Sequence, residues 1–246
     1  MHLLLSGEGA GDIGVCDPSL PTCDRMGLSE GPMAIIVDQL VELFQGYEMS
    51  HLEYEKVSFV SKTYLVENKA SPKSKGMSLP GKKKPVETKY FYENARSLAI
   101  AAKVKCDEIN DKVVAVLFRD SDGTASAGRG FWSDKRKSMI EGFKAEQFEF
   151  GVAMVPKPKS EAWLLCATEK GYQHCQLLEN EPGNDGSNRL SLKSQLEKSL
   201  RGKSSKEDIN ALLRDLSIDV NLINMPSFNI FKEDLRDAVN LANTNI

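Results

Sequence analysis

The stretch Val113-Val114-Ala115-Val116-Leu117-Phe118-Arg119-Asp120-Ser121-Asp122-Gly123-Thr124 decides how this chain is read. Six apolar residues, three of them valine, run unbroken into two acids at i and i+2 and then a glycine. Such a run predicts a strand buried on both faces, as in a parallel sheet under helices. In an open α/β sheet, ligands sit beyond the carboxyl ends of the strands, which is where Asp120 and Asp122 fall. Two carboxylates one residue apart at that junction can turn into one space and hold a hard divalent cation such as Mg2+. The competing reading is a polar turn, because Asp-Gly pairs are common turn formers.

Working outward, the chain repeats this junction at its start. Leu3-Leu4-Leu5-Ser6 leads into Gly7-Glu8-Gly9-Ala10-Gly11-Asp12. This predicts a first buried strand ending in a glycine-rich turn, with Glu8 at the kind of position Asp120 occupies. The spacing is not that of a dinucleotide fingerprint. If the two strands are neighbours and parallel, Glu8 approaches Asp120 and Asp122. A later strand, 148–155, runs into Lys157-Pro158-Lys159-Ser160-Glu161. Ser160 suits an N-cap, and Glu161 would begin a helix, where the dipole favours an acid whether or not it also meets a metal. Lys157 and Lys159 border the same edge and could meet a phosphate, as could Arg129 in the small-residue loop 124–130.

Between these junctions, Gly31-Pro32 opens a helix that ends near Gly46, since proline suits a first turn. Residues 52–66 predict one strand or a bent one, 88–109 and 133–143 predict helices, and 14–31 predict a structural loop or lid. Residues 68–87 form a basic insertion carrying Lys82, Lys83 and Lys84, either a solvated segment or a phosphate-backbone contact. The tail predicts helices at 190–200, 206–216 and 227–243, with Ser204 or Ser205 and Ser227 as caps. The fold class is therefore α/β: a Rossmann-like parallel sheet flanked by helices over residues 1–175, with a C-terminal helical extension over 176–246.

Composition sets the limits. The chain has 246 residues, 41% hydrophobic and 27% charged, with a net charge of −3. No global basic signature announces a nucleic-acid binder, so any such surface must be local. Five scattered cysteines without a CxxC or Cys/His cluster argue against zinc and predict free thiols in a reducing cytoplasm. The opening Met-His-Leu-Leu-Leu is too short for a signal peptide, and no run reaches the ~18 apolar residues of a membrane span.

The pattern strand-Glu8-Gly9-x-x-Asp12, followed by strand-Asp120-x-Asp122-Gly123, resembles the TOPRIM domain of topoisomerases, bacterial primases and overcoming-lysogenization-defect nucleases. Lys159-Ser160-Glu161-Ala162-Trp163-Leu164-Leu165 and Pro226-Ser227-Phe228 look like a bacterial TOPRIM-like family whose members often sit beside ATPases in phage-defence systems. The resemblance implies a Mg2+- or Mn2+-dependent nuclease cleaving DNA or RNA. Glu8 would be general acid/base or metal ligand, Asp120 and Asp122 metal ligands, and Glu161 a further one. It also implies a cytoplasmic effector acting with an ATPase partner, and homo-oligomers are compatible with it. Asp12 receives no role, because a glycine, proline and cysteine loop follows it where the family continues into a helix. Two alternatives stand: a regulatory subunit that is non-catalytic or restrained by its partner, and a haloacid-dehalogenase-like phosphatase with Asp120 as nucleophile and Asp122 as acid/base.

Overall fold

The computed structural model describes residues 1–17, 20–71, 86–121, 131–183 and 191–244. The strands are β1 (His2–Gly7), β2 (Gly14–Cys16), β3 (Thr22–Asp24), β4 (Leu28–Glu30), β5 (Val57–Ser61), β6 (Val113–Phe118) and β7 (Gly151–Met154). The helices are α1 (Pro32–Gln45), α2 (Lys62–Glu67), α3 (Val86–Ile109), α4 (Trp132–Ala145), α5 (Ser160–Thr168), α6 (Leu192–Ser199), α7 (Lys206–Arg214) and α8 (Pro226–Asn243). One five-stranded sheet runs β3-β5-β1-β6-β7; β5, β1, β6 and β7 are parallel, and β3 is antiparallel at the edge. A separate ribbon pairs β2 with β4.

The apolar run 113–118 is β6, and its alternate side chains feed two cores. Val114, Val116 and Phe118 join Leu3, Leu5, α1, α5 and α8 on one face. Val113, Ala115 and Leu117 join Leu4, α3 and α4 on the other. All six residues are buried because the period-2 strand has helices on both sides. The helix α1 that follows β1 therefore lies on one face, and the helix α4 that follows β6 lies on the opposite face. Their loops diverge between two neighbouring strands, the crevice where doubly wound sheets bind ligands.

The C-terminal helices complete the first core. α8 packs on α1, β6 and β7, and α7 packs on α1. Trp163 of α5 is fully buried, stacks on Phe231 at 5.7 Å, meets Phe228 edge-on at 4.9 Å, and donates its indole N–H to Ser227 Oγ at 2.9 Å. The two short motifs at 159–165 and 226–228 thus form one contact. Trp163→Ala should cost about 3–5 kcal/mol, the range for truncating a buried aromatic, and chemical denaturation followed by circular dichroism would measure it.

Several elements differ from the sequence reading. Residues 14–31 hold three short strands, not a plain loop; three-residue strands lie below the length at which periodicity is visible. The expected free thiols are corrected as well: Cys16 is bonded to Cys23 and Cys166 to Cys175, leaving Cys106 free. Sequence spacing carried no sign of the pairing, which chain reversals between β2 and β3 and after α5 create. The strand expected over 52–66 stops at Ser61, whose hydroxyl caps α2 by accepting from the Tyr64 N–H at 3.1 Å. The starts of α5 and α8 shift by one residue, with Lys159 and Met225 at their N-cap positions and Pro226 in the first turn of α8, whereas α7 begins at Lys206 with Ser205 as its cap, as expected. No helix among the described residues is long and apolar enough to cross a membrane.

Two histidines set an acid limit on this fold. His2 hydrogen-bonds Ser58 Oγ at 2.8 Å, and Ser58 donates to Asp24. His51 is fully buried, and among the described residues neither ring nitrogen has a hydrogen-bond partner. Burial lowers both imidazoles from 6.5 to about 4. The unfolded chain takes up protons near pH 6.5 while the folded chain resists them, so stability is full above pH 6.5 and is lost progressively toward pH 4. Urea unfolding between pH 7.5 and 5 should show this decline, and His51→Leu should flatten it.

Candidate functional site

Glu8 follows β1 and Asp120 follows β6. The register His2↔Val113 through Ser6↔Leu117 brings these two strand ends to the same sheet edge. A cleft of about 490 Å3 opens there, lined by Gly7, Glu8, Gly9, Asp12, Lys62 and Asp120 among others. The turn after β1 needs Gly9, which has φ +88°, and a Cβ there would come within 2.5 Å of Asp12 Oδ2. The turn folds Asp12 back beside Glu8; its N–H donates to the Gly9 carbonyl oxygen, and its own carbonyl oxygen accepts from the Met33 N–H at the start of α1.

Ser160 ties the site together. Its backbone N–H donates to Asp120 Oδ1 at 3.0 Å, and its hydroxyl donates to Asp12 Oδ1 at 2.6 Å. Acids from the β1 and β6 loops are thereby fixed to the start of α5. The β6 loop is anchored beside Asp120 too. Ser121 Oγ donates to the Pro158 carbonyl oxygen at 3.0 Å, and buried Lys135 of α4 donates to the Ser121 carbonyl oxygen at 2.5 Å.

Electrostatics separate the acids. Glu8 Oε2 lies 2.9 Å from Lys62 Nζ and 3.9 Å from Arg119 Nε. The Glu8 hydrogen bond is the main cause that raises the Lys62 pKa. Burial pushes the Asp12 carboxyl above the usual carboxylate range, with the Ser160 hydroxyl working the other way. Asp12 is thus an acid held at a cost in its charged form, a pattern that concentrates at functional sites.

The structure brings together only part of the predicted set. Glu8 and Asp120 share the cleft. Glu161 lines an adjoining cavity of about 210 Å3 with Asp12, Ser160, Lys193 and Lys206. Lys157 lies 3.8 Å from Glu179, whose carboxylate accepts the Ser227 N–H at 2.6 Å, so it faces the packing of α8. Lys159 caps α5 and is near enough to Asp12 to lower that acid's pKa. Asp122, Arg129, Lys82, Lys83 and Lys84 lie outside the described residues.

Three residues join the site that the sequence reading did not single out. Asp12 was set aside for the loop that follows it, yet its i+4 spacing from Glu8 across a glycine turn was the available signal. Lys62 was hidden in what read as a strand, and Arg119 in the run-out of β6.

The donors along the cleft, carboxylates from Glu8, Asp12 and Asp120, suit a hard cation in chemistry. As they stand, Glu8 is turned to Lys62, and among the described residues no three metal-ligating side chains converge to hold an ion. Comparison with protein-family models, with curated proteins and with solved structures finds no match to this chain.

Asp12→Asn keeps an acceptor for Ser160 and removes a charge that burial disfavours. Because the folded pKa is raised, the carboxylate destabilises the native state at neutral pH, and that penalty fades as pH falls through the folded value. The variant should therefore gain roughly 1 kcal/mol at pH 7 and little at pH 4; thermal melts at the two values measure it.

Proposed function

We propose that this protein is a metal-dependent phosphodiesterase acting on nucleic acid, of the TOPRIM type. The observation that carries the reading is the placement of Glu8 and Asp120 at the ends of adjacent parallel strands in one cleft, at the point where the sheet reverses its winding. Asp12 strengthens it by adding a third carboxylate.

Glu8, Asp12 and Asp120 would hold the ion, with Asp122 completing the Asp-x-Asp pair. A bound Mg2+ or Mn2+ would polarise the phosphate and lower the pKa of an attacking water. The chain's own residues do the rest. Ser160 fixes Asp12 and Asp120 relative to each other before any ligand arrives. Glu8 is partly exposed and can exchange its partner, which suits a group that moves a proton. Lys62 brings positive charge to the cleft wall for a phosphate.

A phosphatase using Asp120 as nucleophile leaves Glu8 and Asp12 without a role, so hydrolysis of a phosphodiester is preferred. The restrained-subunit reading draws on one observation: Glu8 is held by Lys62 and is not turned to the other acids. An ATPase partner and a part in phage defence rest on the sequence resemblance.

Purified protein should cleave plasmid DNA or total RNA only when Mg2+ or Mn2+ is present. Asp120→Ala should reduce cleavage to background, and Glu8→Ala should lower it by roughly 10²–10⁴-fold, with melting temperatures showing both variants folded. Undiminished cleavage by both variants would reject the assignment, and Mn2+ binding without cleavage would favour the restrained subunit.

A further inference from the structure

Arg119 is the side chain that the site as described leaves without a purpose. It is 1% exposed; among the described residues Nη1 donates to the Phe118 carbonyl oxygen at 2.6 Å, Nε and Nη2 have no partner in hydrogen-bond geometry, and the Tyr90 side chain lies close enough to favour the charged guanidinium. Burying a cation with unmade hydrogen bonds is costly and calls for compensation by an anion. The anion at hand is Glu8. Its Oε2 lies between Lys62 Nζ and Arg119 Nε, and the Tyr90 ring faces both cations, 5.4 Å from Lys62 Nζ and 5.9 Å from Arg119 Cζ.

Two cations on an aromatic wall around one carboxylate oxygen make a seat for a single oxyanion. Arg119 is fixed and buried. Glu8 is 39% exposed and, with Lys62, lines the open cleft. The carboxylate is therefore the part that can leave, and its departure uncovers two positive charges beside Asp120. Guanidinium and ammonium groups together are suited to phosphate oxygens.

We propose that Lys62 and Arg119 form a phosphate seat, filled in the ligand-free protein by the protein's own Glu8 carboxylate. A phosphate group of the ligand takes this seat as Glu8 turns toward Asp12 and Asp120. The ligand class is a phosphomonoester or phosphodiester. The inference deepens the nuclease reading and rests on it for biological meaning, but the seat itself can be tested without metal or nucleic acid.

The test is a titration with inorganic phosphate in metal-free buffer at pH 7.5, followed by 31P NMR. Glu8→Gln removes the charge of the occupant, so that phosphate can displace it, and should bind phosphate about tenfold more tightly than wild type, a change of roughly 1.4 kcal/mol. Asp120→Asn removes the same charge from the same cleft but not from the seat, and should change affinity by less than about threefold, the scale of a screened charge nearby. Adding Lys62→Gln to the Glu8→Gln protein should abolish the gain. Lys62 is half exposed, so this variant should fold, and a thermal melt checks it; Arg119→Lys, which keeps the charge but not the fork, should lose part of the gain. Equal tightening in Glu8→Gln and Asp120→Asn would overturn the seat, as would binding indifferent to Lys62 or no phosphate binding by Glu8→Gln. If cleavage depends on Asp120 while phosphate binding ignores Lys62, the seat alone falls. If phosphate binding depends on Lys62 but no nucleic acid is cleaved, the seat stands and the nuclease reading falls.

Discussion

Ser160 makes the two hydrogen bonds on which the site depends. Its N–H reaches Asp120 and its hydroxyl reaches Asp12, so one residue at the first turn of α5 holds the loops of β1 and β6 in register. The position of Ser160 depends in turn on α5, and α5 is held from behind by Trp163 against Ser227, Phe228 and Phe231. The C-terminal helix therefore acts on the cleft without touching it: α8 packs Trp163, Trp163 holds α5, and α5 places Ser160 between the two acids.

This arrangement divides the cleft into a rigid and an adjustable half. Asp12 and Asp120 are tethered, and the turn behind Asp12 is closed by Gly9 and the start of α1. Among the described residues, Glu8 is held by one hydrogen-bonded ion pair with Lys62 at the first turn of α2, with buried Arg119 at 3.9 Å. An ion pair at a partly exposed position is easily exchanged, because the attraction gained there is small against solvation. On the proposed reading the same carboxylate serves either the cationic wall or a cation held with Asp12 and Asp120, and the balance between these two states sets whether the cleft is closed to anions or open to them.

The legible part of the fold was that governed by burial periodicity. The six apolar residues before Arg119 had no polar alternation, and β6 has a core on each face. The Gly31-Pro32 start and Gly46 end of α1 were equally plain, because proline and left-handed glycine act locally. What stayed hidden depended on contacts between distant residues. Cys16 and Cys23 pair only because β2 and β3 reverse the chain, and Lys157 serves Glu179 through packing that no local pattern encodes. Ser160 suited an N-cap on type alone; it stands one residue further in, with its hydroxyl committed to Asp12 across 148 positions. Glu8 and Asp120 were readable because strand ends in a parallel sheet share an edge. Arg119 was passed over because a charged residue after a buried strand normally reaches solvent, and this one does not.

On the proposed reading, Glu8, Asp12 and Asp120 act as one cation site across β1 and β6. Anomalous diffraction from crystals soaked in Mn2+ tests it most directly. A cation site there gives a peak in the cleft against these three carboxylates, with Glu8 turned away from Lys62. A protein that takes up no Mn2+ there, or takes it up elsewhere while Glu8 stays on Lys62, would contradict it.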